Sequence, residues 1–357
     1  MKITPLNAAH RALNARMVDF AGWDMPVLYA GILEEARAVR SSVGLFDISH
    51  MGRIRLLGEG ATAVLQTLTS NNVASLQPSE AQYSLLTNPA GGVIDDIIVY
   101  REAEESYLVV INASNAEKDI SWINQHLERG VTLEDWSERT AMIAVQGPDA
   151  PAMTAELAQN PELLNLKRFQ YAKGEIAGAS TTFCRTGYTG EDGFELIVPA
   201  ESAEAIWNAL ILAGGTPCGL GARDALRIEA GYPLYGHEID DTTSPVEAGL
   251  MWVVDMEKQI FIGQSSIQGV KASRAKKRLV GLILPEERMV PRQGQNILAG
   301  ETLVGTVTSG VFSPTQNRSI AMGYVDVAYA RSGTSLSIEI RTKRVNATVV
   351  PKKNLLA

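Results

Sequence analysis

The sequence predicts an α+β fold with two related antiparallel-sheet α/β units followed by a small antiparallel β-barrel. First, short strands rich in Val, Ile and aromatic residues alternate with helical segments, which indicates sheets with helices on one face. Second, helix starts recur at a constant offset: Gly60–Ala63 and Gly147–Ala150 are 87 positions apart, as are Ala113–Glu117 and Ala200–Glu204. Third, helical periodicity fades after Lys271, where Gly, Pro and Asn separate short alternating segments.

Helices and strands alternate through the first 270 residues. The segment Phe20–Pro26 is interpreted as a loop because of its Gly and Pro content. Apolar residues at helical spacing predict helices over Gly31–Ser41, from Gly60 to Asn72, after Asn115, over Gly219–Ala230, and starting at Thr243–Glu247. Runs of β-branched and aromatic residues predict strands over Arg53–Leu57, Gln82–Thr87, Val93–Arg101, Ser106–Asn112, Lys173–Ile176, Thr181–Arg185 and Phe194–Val198.

The last part of the chain is predicted to form the barrel. Its alternating pattern predicts five strands, Arg278–Leu284, Gly294–Leu298, Thr302–Ser309, Ser319–Val325 and Ser335–Arg341. Residues 271–357 hold 14 Lys and Arg against 5 Asp and Glu, a balance of +9, whereas residues 1–270 have a balance of −17. This asymmetry predicts a separate C-terminal module with its own partner surface.

Composition excludes several classes of protein. The chain has 357 residues with 45% apolar content, and no run approaches the 18 or more apolar residues of a membrane span, so no membrane association is expected. A net charge of −8 argues against a nucleic-acid partner. Cys184 and Cys218 form no CxxC motif, and Met1–Pro5 lacks the core of a targeting segment. The expected location is the cytoplasm, as for a bacterial-type chain.

The first candidate site follows the turn Asn88–Gly92. The strand after it carries two adjacent carboxylates, Asp95 and Asp96, inside an apolar run. Because strand side chains alternate, the two point to opposite faces, and at least one is expected to be buried. Buried carboxylates persist when they are paired, protonated or chemically active. The alternative is an aspartate that caps a neighbouring loop.

The second candidate site is the glycine-rich stretch Gly187–Glu195. Its three glycines allow a close approach of the backbone, and Glu195 lies within the apolar strand Phe194–Val198. A carboxylate there suits the flat, amidine-like edge of a guanine or a pterin. The alternative is a hairpin in which Glu195 pairs with an arginine.

A third candidate is the pair Arg223 and Arg227, one helical turn apart, which suits a carboxylate ligand. The alternatives are a solvated face or pairing with Asp224 and Glu229. His50, His237 and Glu238 lack metal-ligand spacing, so no metal site is expected. Dinucleotide and phosphate-loop fingerprints and a nucleophile elbow are also missing from the sequence.

Together these stretches resemble the glycine cleavage T-protein family, the aminomethyltransferases. The matching segments run in order along the chain: Phe20–Trp23, Phe46–Gly52, Gly91–Asp96, Gly187–Glu195, Gly221–Gly231 and Pro245–Gly249. The resemblance implies three domains around a central opening in which folate binds. We expect residues 1–55 with 140–270 to form a discontinuous N-terminal folate-binding domain. Residues 56–139 would be an inserted ferredoxin-like domain carrying Asp96, and 271–357 the barrel.

The resemblance also implies roles for individual residues. The catalytic aspartate matches Asp96, the pterin-binding glutamate matches Glu195, and the folate-site arginine matches Arg223, with Arg227 as second choice. Pocket-lining positions match Met51, Tyr83, Val110, Asn112 and Tyr188. One departure is the C-terminal segment Val349–Ala357, which lacks the aromatic residues often found there in the family.

The implied reaction uses tetrahydrofolate as co-substrate and a lipoylated H-protein, usually acidic, as partner. The H-protein carries the aminomethyl group, its carbon passes to tetrahydrofolate, and ammonia leaves without help from a metal. One alternative is a related folate-dependent demethylase of a small methylated amine or sulfonium. Another is a non-catalytic folate-binding protein of iron–sulfur maintenance, which the absence of cysteine from Gly187–Gly193 disfavours.

Overall fold

The computed structural model describes residues 1–285 and 288–356; Ala357, the last residue of the predicted barrel domain, lies outside the described residues, as do Glu286 and Glu287. The α-helices in the described residues are α1 (Asn7–Ala12), α2 (Ile32–Ser41), α3 (Ala61–Leu68), α4 (Ala116–Asn124), α5 (Ala150–Leu157), α6 (Ala203–Leu212), α7 (Leu220–Glu229), α8 (Pro245–Ala248) and α9 (Gln264–Ser273). The strands are β1 (Arg16–Phe20), β2 (Trp23–Leu28), β3 (Gly44–Asp47), β4 (Gly52–Leu57), β5 (Ala81–Thr87), β6 (Val93–Ala103), β7 (Ser106–Ile111), β8 (Thr132–Asp135), β9 (Thr140–Gln146), β10 (Tyr171–Ile176), β11 (Ala179–Cys184), β12 (Gly193–Pro199), β13 (Thr216–Pro217), β14 (Lys277–Ile283), β15 (Asn296–Ala299), β16 (Thr302–Ser313), β17 (Arg318–Asp326), β18 (Ser335–Ile340) and β19 (Lys343–Val350).

The predicted repeat is visible in the topology of two sheets. One sheet has the order β5-β6-β7-β4-β8, and the other has the order β10-β11-β12-β9-β3-β13. The run β5-β6-β7-β4 therefore corresponds strand for strand to β10-β11-β12-β9. The helices that follow β7 and β12 begin at Ala116 and Ala203, which are 87 positions apart. Where ladders are described, neighbouring strands in both sheets are antiparallel except for β3 and β13.

The chain packs as two compact units. The first comprises Met1–Gln66, Asn72–Ser84 and Ile97–Asp224, and the second comprises Thr67–Asn71, Leu85–Asp96 and the chain from Ala225 onward. In the first unit, helices α5 and α6 contribute to an apolar cluster with the strands of the six-stranded sheet. Buried members of this cluster include Leu45, Ile143, Phe183, Phe194 and Trp207. The three-domain boundaries expected from the resemblance stay a prediction.

The second unit contains the closed barrel, in the order β14-β17-β16-β15-β18-β19. Its inward residues alternate along each strand, as Val345, Ala347 and Val349 do on β19. The barrel thus has six strands rather than the predicted five, because β19 was missed. Near the C-terminus, Leu355 is fully buried against the outside of the barrel, in a cluster with Leu279 and Met322.

Two predicted elements need correction, and one helix was missed. The segment Phe20–Pro26 belongs to the hairpin β1–β2, whose two-residue turn, Ala21 and Gly22, has positive φ angles of 52° and 81°. Helix α3 ends at Leu68 rather than at Asn72. Helix α9 was not predicted. The α+β fold class with a terminal antiparallel barrel is nevertheless confirmed. Within the described residues, no helix combines the length and the apolar character needed to cross a membrane.

Candidate active site

The glycine-rich loop between β11 and β12 is fastened from within the first unit by Gln146. Its Nε2 donates to the carbonyl oxygen of Thr186 (3.1 Å), and its Oε1 accepts from Thr189 Oγ1 (2.9 Å). A Cβ at Gly187 would lie 1.9 Å from Gln146 Oε1, and one at Gly193 would lie 2.1 Å from the carbonyl oxygen of Val145. Glycine is therefore required where the loop meets the protein's own sheet, which is the close approach that these glycines permit.

The loop leads directly to Glu195, whose side chain is buried in the middle of the sheet. Glu195 lies on β12 opposite Cys184 of β11 and Ala144 of β9, and it is 5% exposed. Thr186 Oγ1 donates to Glu195 Oε2 (2.5 Å), and the hydroxyl of Tyr100 lies 3.3 Å from the same Thr186 oxygen. The Thr186 hydroxyl has one hydrogen, which it donates to the Glu195 carboxylate. The Tyr100 hydroxyl is therefore the donor in its hydrogen bond with Thr186. Tyr100, Thr186 and Glu195 thus form a short chain of hydrogen bonds.

The electrostatic state of Glu195 is set by opposing effects. Burial raises the pKa of the Glu195 carboxyl, while the charge of Arg223 and the hydrogen bond from Thr186 act in the opposite direction. Among the described residues, Thr186 is the one that donates a hydrogen bond to the Glu195 side chain. One carboxylate oxygen therefore retains the capacity to accept hydrogen bonds from a ligand.

Arg223, on helix α7, completes this cluster. Its guanidinium carbon lies 4.9 Å from the centre of the Tyr188 ring, in the range of a cation–π contact. Burial lowers the pKa of Arg223, and the charge of Glu195 opposes that change. Its Nη1 atom is buried and has no hydrogen-bond partner among the described residues. The structure therefore places Arg223 against Tyr188, and the charge of Arg223 acts on Glu195.

Other predicted pocket residues lie on neighbouring elements of the five-stranded sheet. Val110 is buried on β7 opposite Arg53, and Asn112 follows the same strand and is half-buried. Met51 is half-buried just before β4, and Tyr83 is half-buried on β5. Their contribution to a ligand pocket stays a prediction.

The aspartate pair lies in the second unit, at the start of β6. Asp95 is fully buried and Asp96 is half-buried, so the predicted alternation places Asp95 inside. The preceding turn is rigidly held: Asn88 Oδ1 accepts from the backbone N–H groups of Ala90 (3.0 Å) and Gly92 (3.1 Å), and Asn88 Nδ2 donates to the carbonyl oxygen of Asp241 (2.8 Å). The backbone that carries Asp96 is thus fixed by side-chain and main-chain contacts.

Arg227 has a different environment from Arg223. Its Nη1 donates to Glu238 Oε2 (2.8 Å) and its Nη2 donates to Ser309 Oγ (2.7 Å), and both charged side chains are at most 1% exposed. Glu238 is a partner that was not considered from sequence. The ligand role given to Arg227 as a second choice stays a prediction, and its guanidinium already serves a buried ion pair.

Sequence reasoning missed two residues that shape this region. Gln146 carries no motif signal, because a polar residue at the end of an apolar strand is common. His50 was considered only as a metal ligand, but it is 5% exposed and lies edge-on to Phe20, with ring centres 5.5 Å apart. Burial lowers the pKa of His50 to about 4, and the charges of Arg223 and Arg53 add to this effect. The described residues contain no group of three or more His, Cys, Asp or Glu that would hold a metal ion.

Comparisons with known proteins cover nearly the whole chain. The family model of the GCVT N-terminal domain matches residues 6–258, and that of the glycine cleavage T-protein C-terminal barrel domain matches residues 277–354. Aminomethyltransferase of Chloroherpeton thalassium is 47% identical over 357 residues, covering 98% of each chain. The enzyme of the same name from Geobacillus kaustophilus is 44% identical over 357 residues, also covering 98% of each chain.

A solved structure of an aminomethyltransferase also matches this chain over nearly its whole length. The crystal structure of glycine cleavage system aminomethyltransferase T from Bartonella henselae matches with a TM-score of 0.92 at 34% identity, covering 99% of this chain and 97% of that one. The family expected from the motifs is confirmed by sequence and by fold. The chain therefore belongs to the glycine cleavage T-protein family of aminomethyltransferases.

Proposed function

We propose that this chain transfers the one-carbon unit of an aminomethyl group from the lipoyl arm of the H-protein to tetrahydrofolate, with release of ammonia. Family membership supports the aminomethyl transfer. The acceptor and the carrier are part of the proposal, as is a cytoplasmic location.

The observation that carries the folate proposal is the incomplete hydrogen bonding of Glu195 and Arg223. Glu195 accepts one hydrogen bond from the described residues, and Arg223 Nη1 donates none to them although it is buried. Unsatisfied buried polar atoms are costly, at about 1–3 kcal/mol each, and a ligand that forms hydrogen bonds with them removes that cost. A pterin presents a flat edge with N–H donors that match a carboxylate, so these residues fit tetrahydrofolate.

The proposed roles follow from these environments. Glu195 binds the pterin edge, Arg223 supplies a second polar contact, and the ring of Tyr188 helps to hold Arg223 in place. The side chains of Met51, Tyr83, Val110 and Asn112 line the pocket. Arg227 is a weaker candidate, because Glu238 already binds its guanidinium.

Asp96 is the proposed catalytic carboxylate. Of the two adjacent aspartates it is the one that is partly accessible, whereas Asp95 is fully buried. Tetrahydrofolate supplies the nitrogen that accepts the carbon. Asp96 would hold or accept a proton during the transfer and stabilise positive charge at the reacting carbon.

The test is an assay of ammonia release from aminomethyl-lipoyl H-protein in the presence of tetrahydrofolate. Asp96→Asn should lower turnover by about 10²–10⁴, the range for loss of acid–base assistance, with a far smaller effect on folate affinity. Asp326→Asn, which changes an exposed aspartate of the same unit, is the matched control.

Near-normal turnover of Asp96→Asn would reject Asp96 and direct attention to Asp95. Absence of ammonia release by the unaltered protein, with turnover of a small methylated amine instead, would favour the demethylase alternative.

A further inference from the structure

The hydroxyl of Thr186 holds one oxygen of the buried carboxylate of Glu195. Thr186 lies in the loop that follows β11, and it is 5% exposed. Its Oγ1 atom donates to Glu195 Oε2 over a distance of 2.5 Å, which is short, as expected for a hydroxyl that binds a charged acceptor. Each oxygen of an ionised carboxylate accepts about two hydrogen bonds, so this contact orients the group and still leaves acceptor positions for a ligand.

Thr186 is itself fixed through both its backbone and its side chain. Its carbonyl oxygen accepts from Gln146 Nε2 (3.1 Å), and its Oγ1 accepts from the hydroxyl of Tyr100 (3.3 Å). Tyr100 is 1% exposed, and its ring lies edge-on to that of Tyr171, with ring centres 5.8 Å apart. The donor to Glu195 is therefore held by residues of β9 and β6, and β10 supports the second of them. Supporting contacts of this kind are what a precisely placed binding group requires.

Two neighbouring groups favour the ionised form of Glu195, against the effect of burial. The charge of Arg223 and the hydrogen bond from Thr186 act to lower its pKa, and burial raises it. Burial also raises the pKa of the Tyr100 hydroxyl and of the Cys184 thiol, so both are neutral neighbours of the carboxylate. Loss of the Thr186 hydroxyl therefore raises the pKa of Glu195 further, because it removes one of the two contributions that favour the ionised form.

We propose that Thr186 is a positioning residue for pterin binding, whose hydroxyl orients the Glu195 carboxylate toward the N–H groups of the pterin edge. This inference rests on the proposed folate function and adds to it a residue that acts through Glu195 and not on the ligand. The flat pterin edge requires a carboxylate in its own plane, with both oxygens as acceptors. The hydrogen bond from Thr186 restricts rotation of the carboxylate and stabilises the ionised form, which accepts hydrogen bonds and donates none.

The test measures tetrahydrofolate affinity as a function of pH. Titration calorimetry on the full-length chain is run from about pH 5 to about pH 8, the range in which native carboxylates are ordinarily ionised. Thr186→Val keeps the shape of the side chain without its hydroxyl. It should weaken binding by about tenfold at neutral pH, the scale of one hydrogen bond to a charged group. On acidification its affinity should begin to fall at a higher pH than that of the unaltered protein, and Thr186→Ser should restore both properties.

Two controls separate this role from a general effect on the loop. Thr189→Val removes another buried hydroxyl of the same loop, one that donates to Gln146 Oε1 rather than to Glu195. Affinity lost by loosening of the loop is lost in this control too, but its pH profile should not shift. The second control adds Thr186→Val to Glu195→Gln, in which no carboxyl is left to titrate, so the added change should leave the pH profile of that background in place.

The outcomes separate the inference from the function on which it rests. An unshifted pH profile or an unchanged neutral affinity in Thr186→Val, or an equal shift in Thr189→Val, overturns the role of Thr186 while leaving the folate site intact. A shift that persists in the Glu195→Gln background also overturns it, because Thr186 would then act on another group. Failure of the unaltered protein to bind tetrahydrofolate overturns the proposed folate site, and the Thr186 assignment with it. If Thr186→Val does not fold, the smaller Thr186→Ala replaces it with the same expected results.

Discussion

Each unit of the molecule contains a buried glutamate near an arginine, but the two pairs differ in how far the protein satisfies them. In the second unit, Arg227 contacts Glu238 at 2.8 Å and also donates to Ser309. In the first unit, Glu195 and Arg223 interact electrostatically, yet these two described residues form no direct ion pair, and Arg223 Nη1 has no hydrogen-bond partner among the described residues.

The difference separates a structural pair from a pair available to a ligand. The direct contact between Arg227 and Glu238 compensates the desolvation of both charges, so this pair is stable without a ligand. This holds even though Glu238 Oε1 has no hydrogen-bond partner among the described residues. A separated pair leaves donors and acceptors that a polar ligand completes. Residue type alone does not distinguish the two cases, since both arginines lie on helix α7.

The largest expected effect comes from breaking the structural pair. Arg227→Ala leaves the charge of Glu238 buried without its partner, which should lower the free energy of unfolding by about 3–5 kcal/mol. Urea denaturation followed by circular dichroism measures this loss. Arg223→Ala is the matched control on the same helix and should cost much less. Comparable losses in the two variants would show that the two arginines are equivalent.

The next effect tests the pair assigned to the ligand. Glu195→Gln keeps the shape of the side chain but replaces one acceptor with a donor, so tetrahydrofolate affinity should fall by about 1–3 kcal/mol. Titration calorimetry measures the affinity. Glu238→Gln is the matched control, and it should reduce stability rather than affinity. An unchanged folate affinity in Glu195→Gln would contradict the pterin assignment.

A smaller effect concerns the dependence of stability on pH. Burial raises the pKa of folded Glu195 above its ordinary value of 4.5, so between these two values the folded state binds more protons than the unfolded state. Stability therefore falls as pH rises through this interval. Glu195→Gln removes the effect, so its stability relative to the unaltered protein should increase with pH and then level off. Denaturation curves on both sides of 4.5 measure the difference, and a difference that is constant with pH would refute the raised pKa.

Elements with strong patterns were predictable from the sequence, whereas those that depend on context were not. Strand β6 and helix α2 follow from their apolar spacing. The hairpin β1–β2 was taken for a loop because its residues do not alternate cleanly between apolar and polar. Strand β19 does alternate, with buried Val345, Ala347 and Val349, and a search for period-two spacing would have found it.

The candidate site was predictable in its residues but not in their partners. Glu195 stood out as a carboxylate inside an apolar strand, and the structure confirms that it is buried. The sequence could not show that Gln146 fills the space left by Gly187, because that contact joins residues 41 positions apart. It also could not separate Arg223 from Arg227, since their partners come from distant parts of the chain.

The smallest expected effect concerns basic residues on the surface of the second unit. Some of these residues are paired with acidic residues, and others are available to a partner. Residues 271–357 carry a balance of +9, and the run Arg274–Arg278 is its densest part. Lys277 lies 3.8 Å from Glu247 and packs over Tyr324, so it is committed to structural contacts. Arg344, on β19, is likewise bound by Glu301.

By contrast, Arg274, Lys276 and Arg278 are exposed and form no ion pair with any described residue. We therefore expect these three residues to attract an acidic H-protein. The alternatives are that this basic surface binds no partner, or that it binds the glutamate tail of folate. Exposed charges at the rim of an interface mainly change the association rate and its salt dependence.

Reversing Arg274, Lys276 and Arg278 to Glu should raise the apparent KM for the H-protein by roughly threefold to tenfold at low salt and flatten its salt dependence. The matched control reverses Arg16, Arg37 and Arg129, which are exposed in the first unit and give the same change in net charge. A normal KM in the first triple variant, or an equal rise in the control, would exclude docking by this patch. A fall in folate affinity with an unchanged KM for the H-protein would instead assign the patch to the glutamate tail, because a few carboxylates on a small ligand would then be its target.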